Sequence, residues 1–307
     1  MAGTVRITAV MPVGPGTRED FLCDSLESIR FWTPNARIIL VDDSGAAVTS
    51  SPARRYCAEV VTSEYHDRYG GLYLALSLGY KVALESSFDL LLRIDTDGLV
   101  ANGGFEQHAL EYFARHPEVG CIGSFRHGYD GGNRSCRPQR AQVARALGPG
   151  AFRRPFVAAT LGRYMLEAKL RGPGYRLGDS VLGGACLLPR VAVETLERRG
   201  LLGIAGLRHC GLGEDHIFGM LLACAGFRMA DMARKGDGLI FGVRHVGIPA
   251  SPEELIANGK CLVHSVRSWH ELSEQEVRQR FAELRHIPRM PVALEAPALA
   301  VLAGAPA

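Results

Sequence analysis

Two carboxylates one residue apart, in Arg93-Ile94-Asp95-Thr96-Asp97-Gly98, are the side chains here best suited by type and spacing to do chemistry. An Asp-x-Asp turn offers two hard oxygen donors, which suit a divalent cation such as Mg²⁺ or Mn²⁺. A second acidic pair stands in Gly211-Leu212-Gly213-Glu214-Asp215-His216, where flanking glycines suit close contact with a ligand. A carboxylate in such a loop can take a proton from a bound hydroxyl. A third pair occurs in Asp42-Asp43-Ser44-Gly45. Each pair also has a structural reading. Asp side chains bond local amides in turns, and acidic residues at a helix start complement its dipole.

The elements around these residues favour a common site. Phe88 to Ile94 has five apolar residues in seven, the pattern of a strand buried on both faces. Val5 to Val13 reads as a first strand, broken by Pro12 and the Gly14-Pro15-Gly16 turn. Thr17 to Asp20 has the spacing of a capping box, and Phe21, Leu22, Leu26 and Ile29 form the stripe of the helix it opens. Ala36 to Val41 is a second buried strand, Glu59-Val60-Val61 a short third, and Leu72 to Leu84 is helical. This alternation predicts βαβ units and an α/β fold with a mostly parallel central sheet flanked by helices. Ligands of such sheets bind beyond the carboxyl ends of the strands, which is where Asp42, Asp95 and Asp97 fall.

After Gly98 the organisation changes. Phe105 to His116 reads as a helix and Val119 to Ser124 as a strand. From Arg126 to Arg176 eleven Lys/Arg face only Asp130 and Glu167, with a helix expected over Arg163 to Lys169. This stretch is either a solvated insertion or a wall that meets an anionic group. No hydrophobic anchor is evident beside its arginines, so a lipid-linked acceptor is not expected. Gly183 to Pro189 reads as a strand, Val191 to Arg199 and Phe218 to Ala225 as helices, Gly238 to His245 and Cys261 to Val266 as strands. Leu272 to His286 is a polar helix, and an Ala/Pro-rich tail after Pro288 is expected to be mobile.

The totals exclude several classes. With 307 residues, 22% charged and 47% hydrophobic, the chain has ample material for a core. A net charge of +3 gives no argument for a nucleic-acid partner, and none is expected. No run reaches the ~18 apolar residues of a transmembrane segment, and no leader pattern is present. The eight cysteines form no Cys-x-x-Cys pair and mostly lie among apolar residues. A reduced, cytoplasmic protein without structural zinc is expected, with a homodimer left open.

The first strand ending near a Pro, Val41-Asp42-Asp43-Ser44, Gly70-Gly71, Asp95-Thr96-Asp97, Gly183-Gly184-Ala185 and Glu214-Asp215 come in the order found in GT-A fold glycosyltransferases. Over roughly residues 5–270 the chain resembles the family 2 group of inverting, nucleotide-sugar-dependent enzymes. It departs in having Asp42-Asp43-Ser44-Gly45 for the usual Asp-Asp-Gly-Ser, and Leu76-Ser77-Leu78-Gly79 for the usual Arg-x-x-Gly. The resemblance implies a nucleotide-sugar-binding half (1–125), an acceptor-binding and catalytic half of the same domain (126–270), and a C-terminal helix with tail (271–307).

It implies roles for single residues too. Pro12 and Val13 would flank the nucleotide base and Asp42 would accept its imide N–H, which selects a UDP-type donor. Asp95 would hold the ribose or a metal water, Asp97 would ligate Mn²⁺ or Mg²⁺, and Thr96 belongs to the donor-binding set. His264 or His245 would complete the metal shell. Asp215, with Glu214 as the lesser choice, would be the general base. Arg93, Lys260 and Arg267 would neutralise diphosphate, and Gly183 and Gly184 would let backbone approach the sugar or acceptor. The expected reaction moves a sugar to a small-molecule or glycan acceptor bearing a hydroxyl or amine. A nucleotidyltransferase and a non-catalytic nucleotide-sugar-binding protein are the alternatives.

Overall fold

The computed structural model describes residues 4–45, 47–64, 69–235, 241–244 and 246–287. Strand β1 (Ile7–Val13) is buried at every position and leads into helix α1 (Glu19–Trp32). Then come β2 (Arg37–Asp42), α2 (Ser50–Arg55), β3 (Glu59–Thr62), α3 (Gly70–Leu84), β4 (Leu90–Ile94) and the two-residue β5 (Leu99–Val100). Next are α4 (Phe105–Arg115), β6 (Val119–Gly123), α5 (Arg137–Leu147), α6 (Pro149–Arg153) and α7 (Pro155–Arg171). The chain continues with β7 (Ala185–Pro189), α8 (Arg190–Arg198), α9 (Glu214–Cys224), β8 (Arg228–Asp231) and β9 (Phe241–Val243). The last elements described are α10 (Pro252–Ala257), β10 (Leu262–His264), β11 (Ser268–Trp269), β12 (Leu272–Ser273) and α11 (Glu274–Arg285).

The main sheet runs β3-β2-β1-β4-β7-β6-β8. Its pairings are parallel except on the two sides of β7, so the predicted α/β, mostly parallel sheet is what forms. Period-2 side-chain alternation divides the core between its faces. Val10, Ile39, Val41 and Leu91 pack under α3, α7 and α9. Ala9, Met11, Leu40, Leu90 and Leu92 pack under α1 and α4. Gly79 sets how close α3 lies, because a Cβ there would meet Val41 Cγ2 at 2.5 Å and Val10 Cγ1 at 2.7 Å.

Three features aim the chain at one end of the sheet. β7 runs antiparallel to β4 with Ala185 opposite Ile94, so Gly183-Gly184 must lie at the carboxyl end of β4. β10 pairs with β5 in the register Leu262↔Val100 and Val263↔Leu99, which brings His264 back beside Asp97. α11 covers α1, and the two clamp the Asp-x-Asp turn from behind: Arg278 of α11 donates to the Thr96 carbonyl at 2.7 Å, and the Ser25 hydroxyl of α1 donates to the same carbonyl at 2.8 Å. Arg278 is buried because Asp24 and Glu274 each pair with it at 2.9 Å.

Some expectations need correction. The capping box at α1 does not form: Thr17 Oγ1 donates instead to the Gly14 carbonyl at 2.8 Å, and Arg18 takes the N-cap position without a side-chain capping bond, its guanidinium pairing with Asp20. The basic stretch holds three helices rather than one short helix. Nor are its arginines without an apolar companion, since Phe152 and Phe156 stand exposed among them. Part of the Gly238–His245 strand and the tail from 288 lie outside the described residues. Among those described, no helix is long and apolar enough to cross a membrane.

Candidate active site

A cleft of about 740 Å³ opens at the carboxyl end of β4. Asp95, Asp97, His264 and Arg267 line it together with Gly183, Gly184, Glu214 and Asp215, so segments more than a hundred residues apart share one cavity. The β4 strand delivers the first two carboxylates. The Gly98 N–H bonds the Asp95 carbonyl at 2.9 Å, closing the turn that follows the strand.

Asp97 is buried. Its Oδ1 lies 3.2 Å from His264 Nε2, while Oδ2 accepts from Ser265 Oγ at 2.7 Å and from Arg267 Nε at 2.8 Å. Burial alone would raise its pKa. The His264 hydrogen bond and charge, the Ser265 hydroxyl and Arg267 outweigh that and hold it well below the carboxylate range. Asp95 moves the other way: burial raises it, against the pull of Arg93 and His264.

One ligand atom from each of Asp95, Asp97 and His264 falls within 4.8 Å of the others. Among the described residues the buried Asp95 Oδ1 accepts no hydrogen bond and has only the Arg93 guanidinium 3.5 Å away, which leaves coordination capacity of the kind a cation uses. Two carboxylates and an imidazole fit a divalent ion of the Mn²⁺ type. Gly184 is part of this cradle. Its carbonyl accepts the Asp95 N–H at 2.9 Å, and a Cβ there would stand 2.0 Å from the His264 ring. Gly184→Ala must therefore displace His264. We expect a calorimetric titration to show Mn²⁺ affinity reduced about 10–100-fold, the usual cost of disturbing a ligand's support.

Arg93 is buried in the wall between the two acidic groups. Its guanidinium lies 2.7 Å from Glu214 Oε1 and 3.5 Å from Asp95 Oδ1. A buried guanidinium needs such partners, and removing either side leaves an uncompensated charge. Glu214 is thereby tied to Arg93. Asp215, the next residue, accepts the His216 backbone N–H at 2.8 Å and lies 3.5 Å from His216 Nε2. Burial raises the Asp215 pKa and Glu214 adds to this, opposed by His216 and Arg93. Burial lowers His216, which favours its neutral form.

The remaining predicted residues are placed as follows. Asp42 ends β2 and accepts from Ser44 N at 2.9 Å, Ser44 Oγ at 2.6 Å and Thr49 Oγ1 at 2.6 Å. Pro12 and Val13 end the neighbouring strand, with Val13 opposite Asp42. Thr96 is half-buried, its carbonyl held by Arg278 and Ser25. Lys260 is fully buried, and its ammonium donates to the Arg234 carbonyl. A phosphate contact by Lys260 would require giving up that bond. His245 lies outside the described residues.

Sequence reasoning missed Ser265, which is bonded to Asp97, and Arg278, which holds the turn. It also missed Tyr69, Gln139 and Gln142 on the cleft wall. Tyr69 precedes α3 at φ +60°, an uncommon backbone state for a bulky residue and a signal that only coordinates reveal.

No protein-family model and no curated protein matches the chain. Solved structures do. Mannosyltransferase PcManGT from Pyrobaculum calidifontis, in complex with GDP-Man and Mn²⁺, is 16% identical at a TM-score of 0.45, over 75% of this chain and 55% of that one. Galactosyltransferase LgtC, in complex with donor and acceptor sugar analogues, is 12% identical at 0.43, over 91% and 95%. Glucosyl-3-phosphoglycerate synthase from Mycobacterium tuberculosis, with Mn²⁺, UDP-glucose and phosphoglyceric acid, is 16% identical at 0.40, over 74% and 70%. The chain thus spans little more than half the length of the first of these.

Proposed function

We propose that the protein is a metal-dependent GT-A glycosyltransferase that moves a sugar from a UDP-type nucleotide donor to a hydroxyl or amine acceptor with inversion. The observation that carries this reading is the shared cleft: a carboxylate–carboxylate–imidazole cluster and a separate, pKa-raised Asp215 line one cavity. Asp97, Asp95 and His264 would hold a divalent cation, which supplies charge neutralisation for the departing diphosphate. Arg267, which already reaches Asp97 Oδ2, is exposed enough to swing to a phosphate oxygen. For Asp42 to accept the imide N–H of a uracil-type base, it would have to give up one of its bonds from Ser44 or Thr49.

Asp215 takes the acceptor's proton as the acceptor oxygen attacks the anomeric carbon. The bond from that carbon to the diphosphate breaks, and the nucleoside diphosphate leaves with the electron pair. The raised pKa makes Asp215 a better base than an ordinary carboxylate. Arg93 holds Glu214 back from this task and keeps the two acidic walls in register. The test is a panel of nucleotide sugars and acceptors with Mn²⁺. Nucleoside diphosphate should appear in step with transferred sugar, with inverted anomeric configuration by NMR; release of pyrophosphate would identify a nucleotidyltransferase instead.

A further inference from the structure

Helix α7 faces two ways. Ala158, Leu161, Tyr164, Met165 and Ala168 are buried, and this side packs on α9. The opposite side carries Phe156, Ala159, Arg163, Leu166 and Leu170, spaced three or four residues apart in one exposed row. Phe156 is 85% exposed, Leu166 60% and Leu170 77%, and on α6 just before it Phe152 is 94% exposed. A nearly naked phenylalanine on α6, followed by a phenylalanine and two leucines in one row on α7, is more apolar surface than scattered exposure accounts for.

The charge around this stripe is one-sided. Residues 131–170, which span the stripe, contain seven arginines and one lysine against a single acid, Glu167, which pairs with Arg199. Arg145 on α5, Arg153 on α6 and Arg163 within the row itself are exposed. Aromatic and aliphatic residues on one face with a cationic margin are the composition of a helix that lies in a bilayer interface. A second copy of the chain is disfavoured as the occupant, since a two-fold contact through this row would set Arg163 against its own counterpart.

We propose that α6 and the exposed face of α7 form a docking surface for an anionic lipid bilayer. Phe152 and Phe156 insert at the headgroup boundary, and Arg145, Arg153 and Arg163 contact lipid phosphates and carboxylates. α5, which precedes α6, carries Gln139 and Gln142 on the cleft wall, so a docked protein holds its cleft near the membrane surface. The inference uses the surface alone and stands whether or not the cleft transfers sugar.

The test is co-sedimentation of the full chain with vesicles of phosphatidylcholine containing phosphatidylserine, against phosphatidylcholine alone, at low and raised salt. The wild type should sediment with the anionic vesicles only, less so as salt rises. Phe152→Ser with Phe156→Ser should abolish this while the melting temperature is retained. Arg145→Gln with Arg153→Gln should weaken partitioning about 25-fold, at about fivefold per arginine. Failure of the wild type to sediment overturns the proposal. So does light scattering that shows a dimer which the two Phe→Ser changes convert to a monomer, because the stripe would then be a subunit contact.

Discussion

Asp97→Asn should lower turnover at least about a thousandfold, at the upper end of what removing one preorganised charge-stabilising group costs. The substitution keeps the volume of the side chain and can still accept from Ser265 Oγ, so the fold around it has no steric reason to change. What it removes is the negative charge on which His264 and Arg267 converge. A cation held by Asp95, Asp97 and His264 loses an anionic ligand, and the diphosphate loses its counter-charge. Steady-state kinetics with saturating Mn²⁺ reads the effect; a rate within threefold of wild type would overturn the assignment. The pKa of Asp97 is depressed in the folded protein, so its contribution to stability is present above the ordinary carboxylate range and fades only in strong acid. Loss of activity on mild acidification therefore has another origin.

We assign any such loss to Asp215, the proposed general base. Asp215→Asn should lower kcat about 10²–10⁴-fold, the range for a lost general base, with nucleotide binding retained. The kcat–pH profile separates this from a structural defect. Because the folded protein raises the Asp215 pKa, the wild type should gain activity as pH rises through a value above the usual carboxylate figure of 3.8, and the variant should lack that limb. The sign for stability is opposite to that for Asp97. A raised carboxyl pKa means the fold prefers the neutral form, so ionising Asp215 at working pH costs stability. The neutral Asn should leave the melting temperature unchanged or higher. A variant that loses activity together with stability would point to a capping role at the start of α9.

The parts of this molecule that could be read from the chain are those in which burial writes directly into composition. Leu90 to Ile94 is buried on both faces and therefore shows as an apolar run interrupted only by Arg93, and the carboxylates after it mark the point where the strand leaves the core. His264 was legible as a histidine at a strand end; its pairing with Asp97 depends on the β5–β10 register, which joins residues more than 150 apart. The α1 start misled because a hydroxyl with the right capping spacing found a nearer carbonyl at Gly14. α7 was read too short because Pro155, Gly162 and scattered arginines dilute its pattern, although one face packs as a full helix. Lys260 and Arg267 look alike as basic residues near a histidine. Lys260 is bonded to the Arg234 carbonyl and lies over the Tyr129 ring, whereas Arg267 reaches the cleft.

The central claim is that Asp95, Asp97 and His264 bind a divalent cation and, through it, a nucleoside diphosphate. Titrating Mn²⁺ into the wild type and Asp97→Asn by calorimetry, with and without UDP, tests it most directly. Saturable Mn²⁺ binding strengthened by UDP in the wild type, and absent from the variant, is the predicted result. Equal Mn²⁺ binding by the two proteins would contradict it.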